Sequence, residues 1–99
     1  MDAIAALPSF DDLRRFVRHA LSERDHLDPE QTPLFEGLIT RGGRVIGLFF
    51  QLEGPRLLKT YALWAGEEHR LLFYDSTGLR YAEVRLSESP DPLKIKSAA

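Results

Sequence analysis

The feature that most constrains this sequence is a series of β-rich runs joined by connections of only two to four residues. The connecting segments read RGGR, EGPR, AGEEHR and DSTG, all of them rich in turn-forming residues. Connections this short can join only antiparallel neighbours, because a parallel crossover needs about a dozen residues or more. The pattern therefore predicts a five-stranded antiparallel β-meander with strands at residues 34–41, 44–53, 56–65, 70–75 and 79–86.

An amphipathic helix is predicted before these strands. Ser9 and Asp12 form a variant of the capping box that starts many helices. Apolar residues then recur at spacings of three and four, at Phe10, Leu13, Phe16, Val17, Ala20 and Leu21. A helix over about residues 9–25 followed by an antiparallel sheet predicts an α+β fold, with the helix packed on a curved sheet or half-barrel. Gly37 and Gly47 inside strands favour that curvature.

Length and composition predict one small globular domain. The chain has 99 residues, 43% of them hydrophobic and 28% charged, with a net charge of −2; these values are typical of soluble domains. We expect a single domain over residues 1–86 and a polar, partly disordered tail over 87–99. The absence of cysteine fits a reducing compartment, and no run of about 18 apolar residues is present. The sequence therefore predicts a cytoplasmic protein without a membrane partner.

Turn chemistry predicts which side chains share a face of the sheet. A two-residue turn at Gly42–Gly43 places Ile39 opposite Ile46. The same register, carried through a two-residue turn at Gly54–Pro55, assigns the rest of the sheet. The residues expected to face the helix are Phe35, Gly37, Ile39, Ile46, Leu48, Phe50, Leu57, Tyr61, Leu63, Leu72, Tyr74, Ala82, Val84 and Leu86.

The other face of the sheet is then also apolar, and one helix cannot cover both faces. Contiguous apolar surfaces larger than a few hundred Å² are usually covered by a partner or a ligand. The candidate interface or ligand-binding residues on this second face are Phe49, Leu58, Trp64, Leu71, Phe73 and Tyr81. The leading hypothesis is a small non-enzymatic interaction domain that forms a homodimer through this face. The alternative is a binding module that holds an apolar or nucleotide-like small molecule in the concave face of the sheet.

No catalytic residue, cofactor site or metal site is predicted. His19, His26 and His69 lack the spacing of metal ligands. The pair of glycines in TRGGRV joins strand to strand and has no helix behind it, unlike a phosphate-binding loop. An enzyme is the least favoured hypothesis, and it would require Asp75 or Glu83 to lie beside a histidine.

The charge distribution argues against a nucleic-acid partner. The sequence pI is about 5.9, whereas nucleic-acid-binding domains usually carry a basic excess. The arginines of the helix are interleaved with acids, which favours local ion pairs. Arg41 and Arg44 are expected to meet Glu67 and Glu68, because alternate hairpins of a meander lie at the same end of the sheet.

Overall fold

The structure is a computed structural model that describes residues 2–24, 27–28, 30–54 and 59–95. In these ranges one helix packs on one side of a six-stranded mixed sheet with strand order β1-β6-β5-β4-β3-β2. The sheet is not closed, so β1 and β2 are its edges. The elements are β1 (Asp2–Ala6), α1 (Phe10–Arg24), β2 (Leu34–Arg41), β3 (Arg44–Glu53), β4 (Lys59–Ala65), β5 (Arg70–Tyr74), β6 (Arg80–Glu88) and a 3₁₀ turn (Pro92–Lys94). The predicted α+β class is confirmed.

The predicted five-stranded antiparallel meander is wrong because β1 adds a sixth strand, parallel to β6. The sequence of β1 is DAIAA, and alanine and aspartate are weak strand formers. Its pairing partner lies at the other end of the chain, where no local pattern could reveal it. The bounds of β2 and β3 agree with prediction, and β6 ends two residues later than the predicted 79–86. Residues 56–58 of the predicted third strand lie outside the described residues.

Helix α1 forms where its cap and apolar stripe predict. The backbone N–H of Asp12 donates to Ser9 Oγ at 3.1 Å, and the Ser9 hydroxyl donates to the Asp12 carboxylate at 2.9 Å. Leu13, Val17 and Leu21 are fully buried. Residue 25, the predicted last helical residue, is not among the described residues. No helix in the described ranges is long and apolar enough to cross a bilayer.

The core lies between α1 and one face of the sheet, here called the helix side. Rows of paired residues cross the strands, and in one of them Leu48 lies opposite Trp64, which lies opposite Leu71. The rings of Phe10 and Trp64 are nearly perpendicular, at 89°, with their centroids 5.6 Å apart. The sheet residues buried in the core are Leu48, Phe50, Leu52, Ala62, Trp64, Leu71, Phe73, Val84 and Leu86. Each large apolar side chain buried here contributes about 1.5–3 kcal/mol to the free energy of unfolding.

The predicted turn between β2 and β3 is confirmed. Gly42 and Gly43 have φ angles of 59° and 77°, and the residues on either side, Arg41 and Arg44, form a pair. Positive φ at both central positions is the requirement of a type I′ turn, which glycine meets without steric cost.

A bulge next to this turn makes the predicted register of β2 wrong. Thr40 lies opposite Val45 and Ile39 lies opposite Gly47, so Ile46 is an extra residue in β3. An extra residue on one strand reverses the faces of everything paired beyond it. The β2 residues that point away from α1, contrary to prediction, are Phe35, Gly37 and Ile39.

The connection between β3 and β4 reverses the predicted faces of β4 and β5. Glu53 pairs with Lys59, so five residues separate these paired positions and not the two of the predicted turn at Gly54–Pro55. The prediction thus has three residues too few between the strands, and a shift of the strand register by an odd number exchanges the two faces of a strand. The residues that face α1, contrary to prediction, are Trp64, Leu71 and Phe73. Those that point away from α1, also contrary to prediction, are Tyr61, Leu63, Leu72 and Tyr74.

A second bulge, between β5 and β6, turns Tyr81 to the helix side. Arg80 lies opposite Tyr74 and Ala82 opposite Phe73, so Tyr81 is an extra residue in β6. The Tyr81 ring lies 6.2 Å from the ring of Phe73, which is buried against α1. The prediction that Tyr81 points away from the helix is therefore wrong, whereas the predicted directions of Ala82, Val84 and Leu86 are confirmed.

Candidate functional site

The candidate site is the sheet face that points away from α1, here called the open face. Helix α1 packs on the other side of the sheet, against the core. The apolar side chains of the open face come from four adjacent strands and are Phe35, Ile39, Phe49, Tyr61, Leu63, Leu72 and Tyr74. Phe35 is 53% exposed, and most of the others are half-buried. The described chain thus presents a continuous apolar surface on the side without a helix.

Aromatic rings form the centre of the open face. The rings of Phe49 and Tyr61 lie 5.7 Å apart at an interplanar angle of 36°, a separation typical of attractive aromatic pairs. Phe49 lies directly opposite Leu63, and Leu63 lies opposite Leu72. At the β2 end of this row stands Gly37, opposite Phe49, so the surface is low there. The centre is therefore apolar across β3, β4 and β5 and recessed toward β2.

Charges of both signs surround this apolar centre. On β6, Glu83 lies opposite Leu72 and accepts a hydrogen bond from Arg70 Nη1 at 2.8 Å. The same guanidinium donates from Nη2 to Glu68 Oε1 at 3.0 Å. The hydrogen bond from Arg70 is the main cause that lowers the pKa of Glu83 below its ordinary value of 4.5. Both groups are therefore charged at neutral pH, and the rim carries both signs of charge.

A groove of about 450 Å³ lies at the end of the open face nearest the β2–β3 and β4–β5 turns. Its apolar lining includes Ile39, Leu63 and Leu72, and charged residues stand at its rim. Arg44 Nη2 lies 2.6 Å from Glu67 Oε1, so the predicted contact between these two turns is confirmed for this pair. The arrangement offers a partly apolar recess with charges beside it.

The structure distributes the six candidate residues differently from the sequence prediction. Phe49 lies on the open face, at its centre. Trp64, Leu71 and Phe73 lie beneath α1 with exposures of 0%, 0% and 2%, so they present no surface to a partner. Tyr81 is on the helix side, and Leu58 lies outside the described residues. The open-face residues that sequence reasoning had placed under the helix are Phe35, Ile39, Tyr61, Leu63, Leu72 and Tyr74.

The two carboxylates considered for acid–base chemistry are held ionised. Asp75 Oδ1 accepts hydrogen bonds from the Thr77 hydroxyl at 2.6 Å, the Thr77 N–H at 2.9 Å and the Leu79 N–H at 3.1 Å. The Thr77 hydroxyl is the main cause that lowers the pKa of Asp75 below 3.8. A general acid needs the opposite shift, and Glu83 is likewise tied to Arg70.

The hydrogen bonds given above for Asp75 and Glu83 come from Thr77, Leu79 and Arg70 and not from a histidine. His19 is exposed on α1 and His69 is exposed in the β4–β5 turn, while His26 lies outside the described residues. Among the residues that the structure describes, no group of three histidines, cysteines or acids is positioned to hold a metal ion.

Comparison with known protein families, curated proteins and solved structures finds no significant match to this chain.

Proposed function

We propose that this protein is a small non-enzymatic interaction domain that self-associates by packing its open face against the open face of a second copy. The observation that carries the proposal is the half-buried apolar cluster of Phe49, Tyr61 and Leu63, with Phe35 beside it at 53% exposure. Monomeric soluble proteins rarely expose apolar surface that is continuous over several strands. A stable partner would remove this surface from water.

The composition of the open face fits a protein interface better than a nucleic-acid surface. An apolar, aromatic centre within a polar rim is the usual anatomy of a protein–protein contact. Arg70 and Glu83 place opposite charges on the same rim. In a two-fold contact the same patch meets itself, so a rim with both signs can pair with itself where a rim of one sign would repel.

The geometry of stacked sheets suits the side chains present. Sheets packed face to face lie about 10 Å apart, and interdigitating side chains fill the space between them. The rings of Phe49 and Tyr61 would project into this layer from both copies. The recess at Gly37 has no atoms within 4 Å of the position that a Cβ would occupy, and it would receive side chains of the other copy.

The test is the mass of the protein in solution, measured by sedimentation equilibrium. The wild type is expected to sediment at a multiple of the chain mass of 11.3 kDa, and Phe49→Glu is expected to sediment at half the mass of the wild type. A matched control is Leu79→Glu, which places the same charge at a 68% exposed residue of the β5–β6 turn and should leave the dimer intact. Circular dichroism confirms that both variants are folded.

Two results would contradict the proposal. One is a wild type that stays monomeric at roughly 100 μM, a concentration that would populate even a weak dimer. The other is a Phe49→Glu variant that sediments at the same mass as the wild type.

A second candidate function is a binding module for an apolar or nucleotide-like small molecule. The observation that favours it is the groove of about 450 Å³ on the open face, a volume within the roughly 300–1,000 Å³ of small-molecule sites. The backbone of Trp64 borders this groove, and it is the single tryptophan of the chain. Titration with anilinonaphthalene sulfonate or AMP should then change Trp64 fluorescence in the wild type but not in Leu63→Arg. An equal response in both proteins, or none in the wild type, would contradict this function.

A further inference from the structure

Strand β2 is an edge strand that lacks the usual protection of an edge. It pairs with β3 on one side and, among the strands that the structure describes, has no neighbour on the other, so half of its backbone N–H and C=O groups point outward. Proteins usually protect such edges by keeping them short or by adding lysine, proline or a bulge. The opposite edge, β1, has five residues and a register shift. In contrast, β2 has eight residues, LFEGLITR, with neither proline nor lysine, and the extra residue of the bulge beside it, Ile46, lies in β3.

The side chains of β2 make this edge apolar on both faces of the sheet. Phe35 is 53% exposed on the open face, and Leu38, opposite Leu48 on the helix side, is 44% exposed. Glu36 is the one acid in the strand. Its carboxylate accepts two hydrogen bonds from Arg14, from Nε at 2.7 Å and from Nη2 at 3.1 Å. This fork-like ion pair neutralises Glu36, so it gives little charge protection to the edge.

The two ends of β2 carry opposite charges. Asp28 and Glu30 lie just before the strand and are exposed, and Arg41, its last residue, is also exposed; Arg44 beside it is paired with Glu67. Two copies of β2 that run antiparallel would bring the acidic end of each beside the basic end of the other. A parallel arrangement would place like charges together. The edge therefore has the charge complementarity of an antiparallel pair with itself.

We infer that β2 pairs with β2 of a second copy, antiparallel and about a two-fold axis at Gly37, to form a continuous sheet of twelve strands, six from each copy. In this register Phe35 lies opposite Ile39 of the other copy, an aromatic–β-branched pair of the kind that stabilises sheets. Side chains of the same face are paired throughout, so the helix sides of both copies lie on one side of the sheet. Gly37 has open space around it, which lets the backbones approach closely at the axis.

This edge contact is independent of the open-face contact proposed above. It uses backbone groups at the side of the sheet, and it leaves both open faces exposed and adjacent. If both contacts form, their two-fold axes are perpendicular and the assembly is a tetramer of D2 symmetry, the commonest symmetric form after the two-fold dimer. Either contact can fail without the other.

The test uses disulfide formation, because the chain contains no cysteine. The two-fold axis passes at residue 37, so Gly37→Cys places the thiols of the two copies opposite each other. Directly opposed residues of antiparallel strands have Cα atoms about 4.5–5.5 Å apart. This separation lies in the range that disulfides accept. The matched control is Ile4→Cys, at a 76% exposed residue of the other edge strand. Under mild oxidation, we expect Gly37→Cys to form covalent dimers at least about tenfold faster than Ile4→Cys.

Two further variants separate edge pairing from random collision and from the open-face contact. Adding Leu38→Lys to Gly37→Cys places two lysines close to the axis and should slow crosslinking about tenfold, because edge lysines oppose strand pairing. Adding Leu63→Glu, an open-face substitution in β4 that is not adjacent to residue 37, to Gly37→Cys should leave crosslinking unchanged. Equal crosslinking of Gly37→Cys and Ile4→Cys would overturn the edge pairing, and so would insensitivity to Leu38→Lys. Neither result would bear on the mass of the open-face dimer.

Discussion

The indole nitrogen of Trp64 donates a hydrogen bond to the hydroxyl of Ser89 at 3.1 Å. Trp64 is fully buried at the centre of the core, and Ser89 follows the last residue of β6. The first residues after the predicted domain end at 86 thus complete β6 and accept the hydrogen bond of the Trp64 indole. The division of the chain at residue 86 stays a prediction, but the contact gives residue 89 a structural role.

We expect Ser89→Ala to lower the free energy of unfolding by about 1–2 kcal/mol, because it leaves the buried indole N–H without its acceptor. Urea denaturation followed by Trp64 fluorescence measures the change. Ser76→Ala, in the exposed β5–β6 turn, serves as the control and should change stability by less than about 0.5 kcal/mol. If both variants lose the same stability, water replaces the Ser89 hydroxyl and the contact contributes little.

Gly47 and Gly37 both lie in strands, but only Gly47 is required by packing. A Cβ at Gly47 would run into the backbone carbonyl of Trp64, whereas a Cβ at Gly37 meets nothing within 4 Å. We expect Gly47→Ala to lower the free energy of unfolding by about 2 kcal/mol or more. Gly37→Ala should be neutral or slightly stabilising, since alanine restricts the unfolded chain. Denaturant titrations that gave equal stabilities for the two variants would show that β4 can shift to accommodate a methyl group.

Local rules predicted the parts of this fold that are set by neighbours in sequence. The cap at Ser9 and the apolar spacing of α1 specify a helix because both act within a few residues. The turn at Gly42–Gly43 is equally local, since two residues with positive φ determine it. The predicted bounds of β2 and β3 agree with the structure for the same reason.

The faces of the strands could not be predicted because they depend on the parity of loops and bulges. Every strand from β3 to β5 has apolar residues on both faces, so hydrophobic alternation does not reveal an error of one residue. The pairing of Glu53 with Lys59 and the extra Ile46 each reverse a predicted set of faces. The predicted direction of Phe49 is correct. Phe49 directly follows Leu48 in β3, so it points to the face opposite Leu48 whatever the length of the neighbouring turns. The parallel strand β1 has no local signal, since its partner is at the opposite end of the chain.

His69 has a φ angle of 53°, a backbone conformation that favours glycine. The left-handed region costs a residue with a side chain roughly 1 kcal/mol. We therefore expect His69→Gly to raise the free energy of unfolding by about 0.5 kcal/mol, after the extra entropy of glycine in the unfolded chain is subtracted. Ser76→Gly is the control, because residue 76 has no positive φ, and it should destabilise. Thermal denaturation by circular dichroism measures both changes, and a lower melting temperature for His69→Gly would refute this account.

The carboxylate of Asp75 should make stability fall in acid. Its folded-state pKa lies below the ordinary value of 3.8, chiefly because of the Thr77 hydroxyl. A lowered folded pKa means that the stabilisation is fully present above the unfolded pKa and is lost as the pH falls through the folded pKa. Asparagine keeps an oxygen that can accept hydrogen bonds but does not titrate in this range. Asp75→Asn should therefore be less stable than the wild type at neutral pH.

The difference in free energy of unfolding between the wild type and Asp75→Asn should then narrow as the pH falls below about 4, because protonation of Asp75 removes the charge that distinguishes the two proteins. Glu83 has a pKa lowered by Arg70 and contributes to the acid sensitivity of both proteins equally, so it cancels in the comparison. Urea midpoints of the wild type and Asp75→Asn, measured at steps from about pH 7 to about pH 2.5, test this expectation. A gap that stays constant over this range would mean that the hydrogen bonds from Thr77 and Leu79 favour the ionised carboxylate no more than the protonated one.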